Sequence, residues 1–220
     1  MMTAIPQSSK ERLLQLLGFL EQNKGVPFTP AEAEAVTGWP SGTIRGDIAY
    51  LSDGMPGDAA EGGHVPVRQA GSAAGYAPEQ LIPAVRKALG LDRRRRFCVV
   101  GLGRLGSAFL NFRSYERDGF ELAAGFDANV NRVEVLTSPA PLYPAYKMAE
   151  VISRFSVEIA FLCVPEDAAQ SAAEKLAAAG IRGILNFSPA ALKLPPEIAV
   201  RTVSVADELR ALAVRLNASG

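Results

Sequence analysis

Phe97-Cys98-Val99-Val100 runs directly into Gly101-Leu102-Gly103-Arg104-Leu105-Gly106, and a helical pattern with Ala108, Phe109, Leu110 and Phe112 comes next. An apolar run, a GxGxxG turn and a helix in that order leave few folds open, because they form the first strand, loop and helix of a parallel α/β unit. Gly101 is needed at the tight turn, Gly103 where backbone approaches a pyrophosphate, and Gly106 where the helix packs against the strand. The phosphate belongs at the helix N-terminus, whose first N–H groups lack partners within the helix. A second apolar run ends in Phe126-Asp127. Asp127 falls about 20 residues after the last glycine, the spacing of a carboxylate that holds the adenosine ribose hydroxyls. Such a carboxylate repels a 2′-phosphate and favours NAD(H) over NADP(H), with Arg132 nearby as the opposing charge. Glycine loops accept many phosphates, so an adenine nucleotide or coenzyme A stays open as an alternative ligand.

From residue 97 onward, strand candidates at 97–100, 122–126, 159–164, 183–186 and 199–203 alternate with helical patterns at 103–115, 146–155 and 167–179. That alternation predicts a Rossmann-type, doubly wound parallel α/β sheet. Cys163-Val164-Pro165 and Asn186-Phe187-Ser188-Pro189 both end strands, where open α/β sheets bind ligands. Phe187 is placed either to stack near a nicotinamide or to pack as an ordinary strand-end aromatic. Cys98 and Cys163, the two cysteines, lie within apolar runs and read as buried small hydrophobes, with no disulfide framework and no metal cluster. The last pattern, 205–216, sets Leu209, Leu212, Ala213 and Leu216 on one face, an amphipathic docking helix for this subunit or another.

The N-terminal part has a different texture. Leu13, Leu14, Leu16, Leu17 and Leu20 recur at helical spacing behind Ser8 or Ser9 as N-cap, and Thr29-Pro30 opens a short second helix. Ser41 can cap a third helix through Thr43, Ile44, Ile48 and Leu51, which completes a helix-turn-helix pattern. The glycine-rich stretch 52–75 reads as an extended wing or loop with a short strand at 65–68, and 78–91 as a connecting helix. The domain reading is a winged-helix domain over 1–80, a Rossmann domain over 81–203 and a C-terminal dimerisation helix over 204–220. Residues 1–92 carry seven basic against ten acidic side chains, which argues against strong non-specific binding to a polyanion. No apolar run approaches the roughly 20 residues of a membrane span, and the start lacks an apolar signal core, so no membrane partner and a cytoplasmic location are expected. The single histidine, His64, sits in the glycine-rich stretch rather than at a strand end. A dinucleotide site without evident acid–base machinery reads as a sensor or binding module, not an enzyme.

The order helix-turn-helix, LGLD at 89–92, VVGLGRLGSAFLNF, GFELAAGFD, VPEDAAQ and AGIRGILNFSPAALKLP resembles the Rex family of redox-sensing transcriptional repressors over nearly the whole chain. Ile44-Arg45-Gly46-Asp47-Ile48-Ala49-Tyr50 is similar to that family's recognition-helix segment. The resemblance implies a homodimer that swaps C-terminal helices, binds NADH and NAD+, and releases a double-stranded DNA operator when NADH is bound. It implies cofactor contacts from Gly101, Gly103, Arg104, Leu105, Gly106, Asp127, Val164, Pro165, Asn186 and Phe187, and DNA contacts from Ser41, Thr43 and Arg45. The chain departs from the pattern at Gly46, where the family has a lysine, and at Leu16, Gly18, Phe112 and Ser204. Arg12 keeps its place but loses the tyrosine hydroxyl and aspartate that resemblance would set beside it across the dimer. These departures and the acidic N-terminal segment support a second reading, a dinucleotide-binding regulatory module whose winged helix contacts protein rather than DNA.

Overall fold

The computed structural model describes residues 5–53 and 75–218. The glycine-rich stretch, with the expected wing, His64 and the strand at 65–68, lies almost wholly outside the described residues. The chain divides into two compact units between Arg93 and Arg94.

In the first unit the leucine stripe predicted from spacing becomes α1 (Gln7–Gln22), which buries Leu13, Leu16, Leu17 and Leu20. Neither Ser8 nor Ser9 caps it: the helix already runs from Gln7, Pro6 holds the N-cap position, and Ser9 is buried. α2 (Pro30–Thr37) starts with a complete capping box, the Thr29 hydroxyl accepting from Glu32 N–H and the Glu32 carboxylate accepting from Thr29 N–H. α3 (Ser41–Asp53) includes Ser41 as its first helical residue rather than its cap, and the Ser41 N–H donates to Glu34 Oε2 at 2.9 Å. α4 (Pro78–Ala88) buries Leu81 and Val85 in the same core as Leu13, Phe28, Ile44, Ile48 and Leu51. The expected boundary near residue 80 is therefore displaced to Arg93, because a helix whose apolar face fills the first core cannot belong to the second. Phe28 and Tyr76, both members of that core, exchange backbone hydrogen bonds as an antiparallel bridge.

Gly18 lies inside α1, and a Cβ added there meets nothing within 4 Å. Gly18→Ala is therefore expected to raise stability by about 0.5–1 kcal/mol through helix propensity, read as a rise in urea midpoint at constant slope.

The second unit is a parallel sheet of β1 (Arg95–Val100), β2 (Phe120–Asp127), β3 (Leu142–Pro144), β4 (Ile159–Leu162), β5 (Gly183–Asn186) and β6 (Ala199–Thr202). Their order, β3-β2-β1-β4-β5-β6, is the Rossmann order, with its reversal between β1 and β4. Between the strands come α5 (Arg104–Leu110), α6 (Val130–Val135), α7 (Met148–Phe155) and α8 (Glu166–Ala178), and α9 (Val205–Ala218) follows β6. Alternation along β1 feeds two cores: Cys98 and Val100 join Phe126, Ile152, Leu162 and Leu176, while Phe97 and Val99 join Leu102 and Leu110.

Three elements depart from expectation. The helix read at 103–115 stops at Leu110 and gives way to a 3₁₀ turn, Arg113–Asp118, which swings the chain back to β2. α6 buries no side chain, so it leaves no apolar period to read. β3 has three residues, too short for an alternating signal. The apolar stripe of α9 is present and uncovered, with Val205, Leu209, Leu212 and Leu216 between 54% and 73% exposed.

Candidate functional site

The glycine loop joins β1 to α5 under tight steric limits. Gly101 has φ +89°, and a Cβ there would lie 2.6 Å from the Cys163 carbonyl oxygen on the neighbouring strand end. At Gly106 a Cβ would fall 1.9 Å from the Gly101 carbonyl oxygen. A Cβ at Gly103 meets nothing within 4 Å, so this glycine faces open space. Gly101 and Gly106 thus let the helix and strands close on one another, whereas Gly103 leaves room above the loop.

Asp127, at the carboxyl end of β2, is buried and turned onto that loop. Its Oδ2 accepts from Leu102 N–H at 2.7 Å and its Oδ1 from Asn129 N–H at 2.7 Å. Arg132 Nη1 lies 3.5 Å from Oδ2. Two backbone donors hold the carboxylate at the mouth of an open cleft of about 1240 Å³. Of the residues expected at a cofactor, Gly101, Gly103, Asp127, Val164 and Pro165 line this cleft. Gly106 is buried beneath the loop, and Arg104 and Leu105 are exposed on the first turn of α5. The cleft also takes Arg132, Tyr146, Ser171 and Lys175, of which the sequence points only to Arg132. The one readable trace of the others is the small-residue face of α8, where Ala168 and Ala172 leave space and Ser171 and Lys175 stand one turn apart. The spacing Tyr143-x-x-x-Lys147, which on a helix pairs a tyrosine with a lysine, spans β3 and the 3₁₀ turn Ala145–Lys147, so the two share no helical face.

The ends of β4 and β5 divide their duties. Cys163 lines the cleft, but burial pushes its thiol up to about 12, and that of Cys98 likewise to about 12, so both stay protonated at neutral pH. Phe187 does not line the cleft. Its ring lies 4.7 Å from Phe109 and 5.8 Å from Phe161, extending an aromatic array that continues through Phe97 and Tyr115. Asn186 is wholly buried, and its side chain is taken up by Ala190, Thr202 and Ser188 within the protein.

In the first unit, α3 presents Arg45 to solvent, with Ser41 and Thr43 half-buried nearby. Its inner face is not purely apolar. Asp47 is 3% exposed and grips Arg12 through two bonds, Nε to Oδ2 at 2.5 Å and Nη2 to Oδ1 at 2.8 Å. The same guanidinium donates to Ser9 Oγ at 3.0 Å and lies over the Trp39 ring at 5.8 Å. Arg12, left without partners by the resemblance, finds one in its own helix-turn-helix and ties α1 to α3.

Among the described residues no group of three metal-ligating side chains occurs, and no helix is long and apolar enough to cross a membrane. A Rossmann-order sheet whose glycine loop and buried acid open on a cleft, preceded by a unit in which α1 to α4 include a helix-turn-helix pattern, defines a nucleotide-binding regulator type of chain. A family profile described as the CoA binding domain matches residues 92–190. The redox-sensing transcriptional repressor Rex of Exiguobacterium sibiricum is 32% identical over 96% of this chain and 90% of its own. The corresponding repressor of Ligilactobacillus salivarius is 32% identical over 98% of this chain and 96% of its own. The crystal structure of RSP, a Rex-family repressor, superposes with a TM-score of 0.79 at 28% identity, covering 99% of this chain and 96% of that one. RSP has also been solved with β-NADH, and with β-NAD+ and operator DNA. This chain belongs to the Rex family.

Proposed function

We propose that the protein is a redox-sensing transcriptional repressor that binds NADH and NAD+ and adjusts its hold on operator DNA to their ratio. The observation that carries this is the Asp127 carboxylate, buried and locked by Leu102 N–H beside a loop whose Gly103 stands open. The dinucleotide crosses the carboxyl end of the sheet, its pyrophosphate over Gly101 and Gly103 and its adenosine ribose on Asp127, with Val164 and Pro165 as the floor. Arg104 and Leu105 line its phosphates from the first turn of α5, and Gly106 acts from below by letting α5 approach. Phe187 lies at the nicotinamide end, and Asn186 supports that end from inside. Residues 5–93 serve as the DNA-binding domain, with Ser41, Thr43 and Arg45 of α3 at the duplex, and 94–203 as the sensor. The apolar stripe of α9 covers a second copy of the chain in a homodimer. The protein is a regulator, not an enzyme.

Calorimetric titration of the full chain with NADH, NAD+ and coenzyme A tests the ligand. NADH is expected to bind tighter than NAD+, with coenzyme A weak. Asp127→Ala is expected to lose roughly ten- to a hundredfold in affinity, the worth of charge-assisted hydrogen bonds. Tight coenzyme A binding without NADH binding overturns the reading.

The second reading, a protein-contacting N-terminal unit, draws on Gly46, which stands exposed on α3 where a basic side chain would reach a phosphate. Binding of the operator duplex from the RSP complex across a salt series separates the two. A repressor loses affinity steeply as salt rises, because phosphate contacts release counterions. A shallow slope, or no binding at low salt, favours the protein-contacting module.

A further inference from the structure

We propose that Asn186 is a positioning residue that links the Phe187 end of the site to α9, and that the Thr202 hydroxyl completes the link. The inference rests on the sensor reading above and specifies how its signal leaves the site.

Asn186 ends β5 with a wholly buried side chain, an unusual place for an amide unless it is fully partnered. Its Nδ2 donates to the Ala190 carbonyl at 2.9 Å and to Thr202 Oγ1 at 3.3 Å, and its Oδ1 accepts from Ser188 N–H at 3.0 Å. The Ser188 hydroxyl in turn accepts from Ala190 N–H at 3.0 Å, closing the turn over 186–190. On its backbone, Asn186 accepts from Val203 N–H at 2.8 Å. One residue thus shapes the turn that carries Phe187 and grips Thr202, the last residue of β6, and Val203 just after it.

The connection from β6 to α9 is short. Ser204 receives the Asp207 N–H on its hydroxyl at 3.2 Å and the Glu208 N–H on its carbonyl at 3.2 Å, so α9 begins from it. Only Val203 and Ser204 separate Thr202 from that helix. No slack loop intervenes to absorb movement. Phe187 is itself held by its N–H on the Leu162 carbonyl at 2.9 Å and by ring contacts to Phe109 and Phe161. A ligand that repacks this ring must shift the turn, and Asn186 passes the shift to Thr202 and hence to α9, whose apolar face awaits a second copy. Thr202, the outer end of the link, is exposed, whereas its inner end, Asn186 with Ser188, is buried and partnered, and such a satisfied polar turn suits this role because it has few intermediate arrangements.

The experiment measures amide hydrogen exchange over 199–208 with and without saturating NADH in the full chain, in Thr202→Val and in Thr202→Ser. Calorimetry of NADH binding runs alongside on all three. Valine keeps the shape of threonine but removes the acceptor, and serine restores it. NADH is expected to slow exchange roughly tenfold in the wild-type chain and in Thr202→Ser, an ordinary size for coupling between sites. In Thr202→Val that slowing is expected to be lost while NADH affinity stays within about threefold, well inside the range of altered coupling without altered binding. If Thr202→Val binds NADH and shows the same slowing as the wild-type chain, the link through Asn186 and Thr202 is wrong although the sensor reading stands. Calorimetry that finds no NADH binding to the wild-type chain overturns both, and does so before exchange is measured.

Discussion

Gly106→Ala is expected to destabilise the sheet unit by about 3 kcal/mol and to abolish NADH binding. The new Cβ would sit 1.9 Å from the Gly101 carbonyl oxygen and 3.3 Å from Cys163 Cβ, between backbone and a half-buried side chain. Neither neighbour can yield: Gly101 is already held at φ +89° against the Cys163 carbonyl, and Cys163 N–H is bonded to the Val100 carbonyl at 2.8 Å. The helix must move off the strand, and the loop geometry goes with it. Gly103→Val is the informative companion. Its backbone, at φ −68°, suits any residue and its Cβ meets nothing within 4 Å, so stability should change by less than about 0.5 kcal/mol. Its side chain would nevertheless stand where the pyrophosphate must approach. Urea denaturation and NADH calorimetry on both variants separate the roles: Gly106 is needed for the fold and therefore for the site, Gly103 for the site alone. A Gly103→Val chain that binds NADH as the wild-type chain does would remove the phosphate from this loop.

Phe97→Ala is expected to cost about 4 kcal/mol, the usual range for deleting a large buried ring. Phe97 is 1% exposed, stacks on Phe161 at 4.8 Å and meets Tyr115 edge-on at 5.0 Å. It sits at the centre of a core that includes Val99, Leu102 and Leu110 and continues through Phe109 to Phe187. Removing it leaves a void that rings, held by their own partners, cannot fill by small shifts. Urea unfolding monitored through the tyrosines should show the loss. A cost under about 2 kcal/mol would mean that the array collapses onto the gap, and NADH affinity would then report whether Phe187 moved with it.

Much of the fold and site is legible in local sequence because the relevant physics acts within a few residues. The GxGxxG loop is such a case: a strand, a turn of positive φ and a helix packed onto that strand are all specified within the stretch from Phe97 to Leu110. The capping box at Thr29 and Glu32 is another, since both of its bonds span three residues. Asp127 is readable from its spacing, although its grip on Leu102 N–H is not. Other features carry no local mark. β3 and α6 have no buried period, and α5 ends at Leu110 although apolar residues continue through Phe112, because the chain must return to β2.

Sequence by itself determined five of the six strands of the sheet, all but β3, together with the glycine loop and the acid at the end of β2, since apolar period and glycine sterics are properties of neighbouring residues. Only the tertiary structure decided that Asp47 faces inward to Arg12, 35 residues away, and that the buried Asn186 side chain is spent on Thr202 of the neighbouring strand. Those two polar residues are buried by the meeting of elements distant in the chain. Their partners therefore depend on how α1 crosses α3 and how β5 lies beside β6, which no pattern within either segment encodes.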